Sequence, residues 1–182
     1  MTARLLSAAE RVAVPWKNGG GVTREIVASP KGAGMGDFVW RVSLAEVGAD
    51  GPFSAFPDVD RTLTVVAGAG MELTVDGERR LVNSPYEPQD FRADVPTDCR
   101  LLDGPVVNLN VMWRRGGGRT PPTVAVVHGR LSLPAAPSLI VALDGPAEVA
   151  GLTLRPYDAA LLTGEGAVLR ARGRTAVIGP TP

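Results

Sequence analysis

Short runs of Val, Leu, Ile and Thr alternate with Gly and Pro along the whole chain. The clearest runs cover residues 22–27, 38–44, 61–67, 71–75, 106–113, 123–127, 139–143 and 175–178. Turn residues separate them about every eight to twelve positions, which predicts an all-β sandwich or barrel. Within the runs, polar and apolar residues alternate. Phe38, Trp40, Val42 and Leu44 oppose Val39, Arg41 and Ser43; Thr62 and Thr64 oppose Leu63 and Val65; Asn108 and Asn110 share a face with Met112. A period of two places each polar set on one side of its sheet. Such sets are ordinarily the solvent face of a half-exposed strand. The sharper reading makes them the lining of a barrel mouth, and the asparagines carry it best because Asn fits strands poorly. Asp76-Gly77 predicts a tight hairpin turn, and Leu5 to Val12 is the best candidate for a short helix.

The pattern repeats once. Leu63-Thr64-Val65-Val66-Ala67-Gly68 resembles Leu139-Ile140-Val141-Ala142-Leu143-Asp144, and Pro85-Tyr86-Glu87 has a counterpart in Pro156-Tyr157-Asp158. Two copies suit two stacked β-units rather than a solenoid, which needs at least three. The expected organisation is an N-terminal half at 1–115 and a C-terminal half at 123–182, packed as one compact unit. The glycine- and proline-rich stretch 116–122 is a connector between them.

Composition narrows the chemistry. The 182 residues carry 19 acidic and 19 basic side chains, for a formal charge of zero, so the basic stripe of a nucleic-acid binder is missing. The N-terminus lacks the pattern of a signal peptide. No apolar run approaches the ~20 residues of a membrane span, so a cytoplasmic protein without a membrane partner is expected. Cys99 is the only cysteine and His128 the only histidine. One of each cannot supply the two or three imidazoles with a carboxylate that a transition-metal jelly-roll site uses. No metal and no cofactor are expected, His128 reads as a strand-end or loop residue, and Cys99 as a buried thiol.

The densest chemistry lies in Pro15-Trp16-Lys17-Asn18-Gly19-Gly20-Gly21-Val22-Thr23-Arg24-Glu25-Ile26. It is not a phosphate loop of the Walker type, because the lysine precedes the glycines and a strand, not a helix, follows. The backbone N–H groups of Gly19, Gly20 and Gly21 could cradle a small anion. Lys17 and Arg24 would strengthen the attraction, Arg24 by a bidentate grip on a carboxylate. A structural ion pair of Arg24 with a neighbouring acid, and a plain glycine-rich turn, stand as the alternatives.

Several segments resemble the HutD/Ves family. They are the Pro15 to Ile26 motif, Phe38-Val39-Trp40-Arg41-Val42-Ser43, Gly51-Pro52-Phe53-Ser54-Ala55-Phe56-Pro57, the stretch from Asp60 to Met71, and Leu101-Leu102-Asp103-Gly104-Pro105. They cover most of residues 1–113 in the family's order; the remainder resembles it only in β pattern. The resemblance implies a double-stranded β-helix bicupin of the RmlC-like kind, without metal-binding histidines. It further implies a role in bacterial histidine utilisation, by binding a small carboxylate such as formylglutamate or urocanate and governing flux rather than catalysing a step. The pocket it implies draws on Trp16, Lys17, Asn18, Thr23, Arg24 and Glu25, with Trp40, Arg41, Ser43 and Arg61 nearby. Where the family pattern has Asp-Phe-Asn, this chain has Asn108-Leu109-Asn110, losing a charge and an aromatic ring.

The leading expectation is therefore a metal-independent cupin that holds an anionic metabolite through Lys17, Arg24 or Arg41 and the Gly19–Gly21 amides. A metal-free isomerase or epimerase acting on a small acid or sugar is the alternative, with Glu25, a tyrosine or Lys17 as acid or base. A third reading is a structural partner that dimerises through its edge strands.

Overall fold

The structure, a computed structural model, describes residues 3–116 and 120–181. Apart from one 3-10 turn, the regular elements among the described residues are strands. They divide between two units, Val12–Gly117 and a second that joins Met1–Arg11 to Gly118–Pro182. The first strand, β1 (Ala3–Leu6), pairs antiparallel with a C-terminal strand, Leu5 opposite Ala160. Residues 3–11 thus belong with the C-terminal unit and not, as the sequence suggested, with the N-terminal half. The helix expected over Leu5 to Val12 is likewise replaced by β1 and the 3-10 turn Ala8–Glu10. A helix that short does not sustain itself, so pairing with a distant strand decides its conformation. Of the expected connector, residues 117–119 lie outside the described residues.

The Val12–Gly117 unit contains β2 (Ala13–Pro15), β3 (Gly21–Ser29), β4 (Trp40–Val47), β5 (Gly51–Pro52), β6 (Val59–Ala67), β7 (Met71–Val75), β8 (Glu78–Val82), β9 (Gln89–Arg92), β10 (Thr97–Leu101) and β11 (Val106–Arg114). They form a six-stranded sheet in the order β2-β3-β4-β11-β6-β9 and a four-stranded sheet in the order β5-β10-β7-β8. The turn at Asp76-Gly77 has positive φ at both residues (49° and 81°), the geometry that joins β7 to β8 most tightly. One core holds the two sheets face to face. Val47, Leu63, Val65 and Val106 come from the larger sheet, and Met71, Leu73, Val82 and Cys99 from the smaller. The face of the larger sheet that looks into this core is called inward below.

The C-terminal unit adds β12 (Thr123–Leu133), β13 (Pro137–Ala142), β14 (Ala147–Val149), β15 (Leu152–Leu154), β16 (Ala159–Thr163) and β17 (Ala167–Gly179). With β1 they make a seven-stranded sheet, β1-β16-β13-β17-β14-β15 with β12 beside β17. Leu133, Ile140, Leu154, Leu162 and Leu169 form its core. The two units use their tyrosines alike. Tyr86 and Tyr157 each follow a proline at positive φ (66° and 69°), and their amides donate to Val65 and Ala142, in the strands that the sequence repeat aligns.

Both faces of the central strands are buried. Ser43, Thr64, Asn108 and Asn110 are all buried, which overturns the expectation of half-exposed strands with polar solvent faces. No helix among the described residues is long and apolar enough to cross a membrane.

Candidate functional site

The glycine motif is the turn of the β2–β3 hairpin. The Gly19 N–H donates to the Trp16 carbonyl at 3.0 Å, and the Gly20 N–H donates to Asn18 Oδ1 at 3.0 Å. Gly19 sits at φ +72°, where glycine is the cheapest residue. Gly21 is needed for a different reason: a Cβ there would lie 2.5 Å from the Glu46 carbonyl oxygen and 3.0 Å from the Trp16 ring. The amides of Gly19 and Gly20 are thus engaged within their own turn, and the anion cradle expected of this loop is not formed by them. Lys17 is exposed, and Asn18 caps the turn with its side chain. What the motif does for the interior is to place Trp16, whose Nε1–H donates to Thr23 Oγ1 at 2.7 Å and whose ring meets Phe53 edge-on at 6.2 Å.

Strand register then separates the other candidates. Gly21, Thr23 and Glu25 of β3 pair with Val47, Ala45 and Ser43 of β4 and face inward. Arg24 pairs with Leu44 on the opposite face, where its guanidinium bonds Glu46. That exposed pair matches the structural ion pair weighed as the alternative, and it sets Arg24 apart from the inward-facing candidates. Trp40 shares the face of Val42 and Leu44 and is 2% exposed; it too is outside the inward set, its Nε1–H buried without a partner.

The inward face brings together Glu25, Arg41, Ser43, Arg61, Asn108 and Asn110. Register places Asn110 between Ser43 and Leu63, and Met112 between Arg41 and Arg61. Arg41 donates Nε–H to Glu25 at 2.8 Å. Asn110 donates its side-chain N–H to Asn108 Oδ1, leaving its own Oδ1 buried and without a partner. Arg61 has no acid partner among the described residues. Its guanidinium lies 5.3, 5.8 and 5.9 Å from the ring centres of Phe53, Phe56 and Phe91, within cation–π range. Its contact to Met112 Sδ at 3.9 Å is weak, and its Nε is buried with no partner among the described residues. Burial, and secondarily the positive charge of Arg41, push its pKa down to about 10. It therefore remains a cation at neutral pH, in an apolar cage, beside another cation.

An arrangement of this kind attracts an anion. Buried charge is costly without a counter-ion, and a guanidinium holds a carboxylate through parallel N–H bonds. The phenylalanines around Arg61 were missed as site residues. Phe53 and Phe56 lie in a segment that resembles the family, but nothing local in the sequence aims them at Arg61. Of the acid–base groups weighed for an isomerase, Glu25 faces inward but is paired with Arg41, and Lys17 is exposed at the turn.

Among the described residues no three His, Cys, Asp or Glu side chains are grouped to hold a metal ion. His128 is exposed on β12, at an irregularity in its pairing with β17. Cys99 is buried, 3.6 Å from Met71 Sδ, and burial, with Asp50 nearby, raises its thiol pKa to about 11.

Comparisons with known proteins agree with this architecture. A bacterial pirin from Escherichia coli superposes over the full length of both chains with a TM-score of 0.72 at 12% identity. That likeness shows the fold alone, a β-barrel cupin. The structure of HutD from Pseudomonas fluorescens SBW25 (formate condition) superposes over 97% of both chains, with a TM-score of 0.85 and 34% identity. In sequence, an uncharacterized 21.2 kDa protein of the hutC 3' region of Pseudomonas putida is 37% identical over 110 residues, 60% of this chain and 57% of that protein. Protein Ves of Cronobacter sakazakii is 35% identical over 111 residues, 60% of each. These alignments span less than two thirds of either relative. The family model described as HutD matches residues 8–178, and the chain belongs to the HutD family.

Proposed function

We propose that this chain binds a small carboxylate at Arg61 in its N-terminal barrel, without a metal, and that it acts in the cytoplasm as a regulator of histidine utilisation rather than as an enzyme. The observation that carries the reading is the half-buried guanidinium of Arg61, ringed by three phenylalanines, with an inaccessible Nε and no acid partner among the described residues. A charge-assisted hydrogen bond contributes about 1.5–3 kcal/mol, so a carboxylate on Arg61 accounts for roughly a tenfold to hundredfold gain in affinity. Ser43, Asn110 and the Arg41–Glu25 pair surround the acid and fix its orientation, and Trp16 packs with Phe53 above Thr23. The link to histidine utilisation rests on family membership and on the relative in the hutC 3' region.

Thermal unfolding of chelator-treated protein tests this against urocanate and other small monocarboxylates. A ligand at 100 times its dissociation constant adds about 2.7 kcal/mol, a rise of roughly 5–10 °C for a chain of this size. The shift is expected in the wild type and absent in Arg61→Met. No shift with any carboxylate would overturn the reading.

A further inference from the structure

We infer that the site accepts a monocarboxylate carrying an N–H or O–H donor next to its acid group, and that it discriminates against dicarboxylates. This rests on the reading that a carboxylate binds at Arg61, and deepens it by two independent features of the inward face.

The first is charge. The charged side chains that β3, β4, β6 and β11 place on this face are Glu25, Arg41, Arg61 and Arg114. Arg41 is paired with Glu25. Arg114 donates to the carbonyls of Phe38, Pro57 and Gly36 at 3.0, 2.8 and 2.9 Å. Among the described residues Arg61 alone has neither kind of partner, so one negative charge completes the site. A second carboxylate would meet phenyl rings or the like charge of Glu25, neither of which replaces the hydration it gives up.

The second is hydrogen bonding. Asn110 is 7% exposed and Asn108 1%. One N–H of the Asn110 amide goes to Asn108, while its carbonyl oxygen is buried and has no partner among the described residues. Arg61 pairs with Met112, and Leu63 with Asn110, so Arg61 and Asn110 are diagonal neighbours on one face, a spacing that long side chains bridge. The face thus presents an orphan donor, Arg61 Nε, beside an orphan acceptor, Asn110 Oδ1. A bare carboxylate only accepts, so it satisfies the first and leaves the second. A hydroxyl or N–H near the acid group satisfies both.

Calorimetric titration with butyrate, 2-hydroxybutyrate and succinate, which share a four-carbon chain, separates the two features. The hydroxy acid is expected to bind about tenfold more tightly than butyrate, the factor that a buried unmade hydrogen bond costs. Succinate is expected to bind at least about tenfold more weakly than butyrate, for want of a second cation. Glu25→Gln, at a half-exposed position, frees Arg41 as a second cation and is expected to narrow the gap between succinate and butyrate. Equal affinity for all three acids, or no gain for succinate in Glu25→Gln, overturns the inference while leaving carboxylate binding intact. Failure of every acid to bind overturns both.

Discussion

Arg41 and Arg61 stand on the same face of one sheet, either side of Met112, and among the described residues only Arg41 has a carboxylate beside it. The contrast defines the site: the paired arginine contributes no net charge, and the unpaired one is short of a counter-ion.

Removing the unpaired charge is expected to trade binding for stability. Replacing a buried ion by an apolar side chain of similar volume is often neutral or stabilising. Arg61→Met should therefore raise the midpoint of thermal unfolding by a few degrees, about 2–4 °C per kcal/mol gained, while abolishing the ligand-induced shift. A midpoint that falls by several degrees would mean that the contacts with Phe53, Phe56 and Phe91 outweigh the cost of the buried charge.

Arg24→Ala is expected to leave carboxylate affinity unchanged. The Arg24–Glu46 pair is exposed on the other face, and such pairs contribute about 0–1 kcal/mol. Denaturant unfolding should show a loss within that range, and titration the wild-type dissociation constant.

The glycines of the hairpin turn should behave unequally. Gly21→Ala drives a methyl group into the Glu46 carbonyl and is expected to cost about 1–3 kcal/mol, as overpacking does. Gly20→Ala meets only the flexible end of Asn18, at 3.3 Å, and should lie within about 0.5 kcal/mol of wild type. Chemical denaturation of the two variants checks both values.

Acid sensitivity is expected at Asp94. Its hydrogen bonds from Arg92 first, and then Arg115, hold its carboxyl well below the usual carboxylate range. A depressed pKa contributes stability that is full above the unfolded value of about 3.9 and is lost as pH falls towards the folded one. Asp94→Asn should flatten the stability profile below about pH 4, whereas an unchanged acid limb would remove Asp94 from its cause.

Cys99 should be inert to thiol reagents in the folded protein at pH 8. It is 4% exposed, and its thiol pKa lies near 11. It should react fully once denaturant unfolds the chain. Fast labelling under native conditions would show that the core around Met71 opens.

Much of the fold was legible because strand signals are local. Runs of β-branched residues marked most central strands, and Asp76-Gly77 marked its hairpin. Period two also carried more of the site than the sequence reading drew from it. Arg24 and Glu25 are adjacent, so one strand cannot turn both inward, yet both were placed in one pocket. Register between distant strands was not legible. The pairing of β1 with β16 joins segments more than 150 residues apart; Phe91 reaches Arg61 only through the β6–β9 register, and Phe53 and Phe56 reach it from the segment after β5. The asparagines of β11 stood out as unusual in a strand, but their lack of solvent and the orphan oxygen of Asn110 are properties of the folded core.

The central claim is most directly tested by calorimetric titration of urocanate into chelator-treated wild type, Arg24→Ala and Arg61→Met. Saturable binding to the first two, with none to Arg61→Met, is the predicted result. Binding to Arg61→Met with wild-type affinity would contradict it and place the ligand elsewhere.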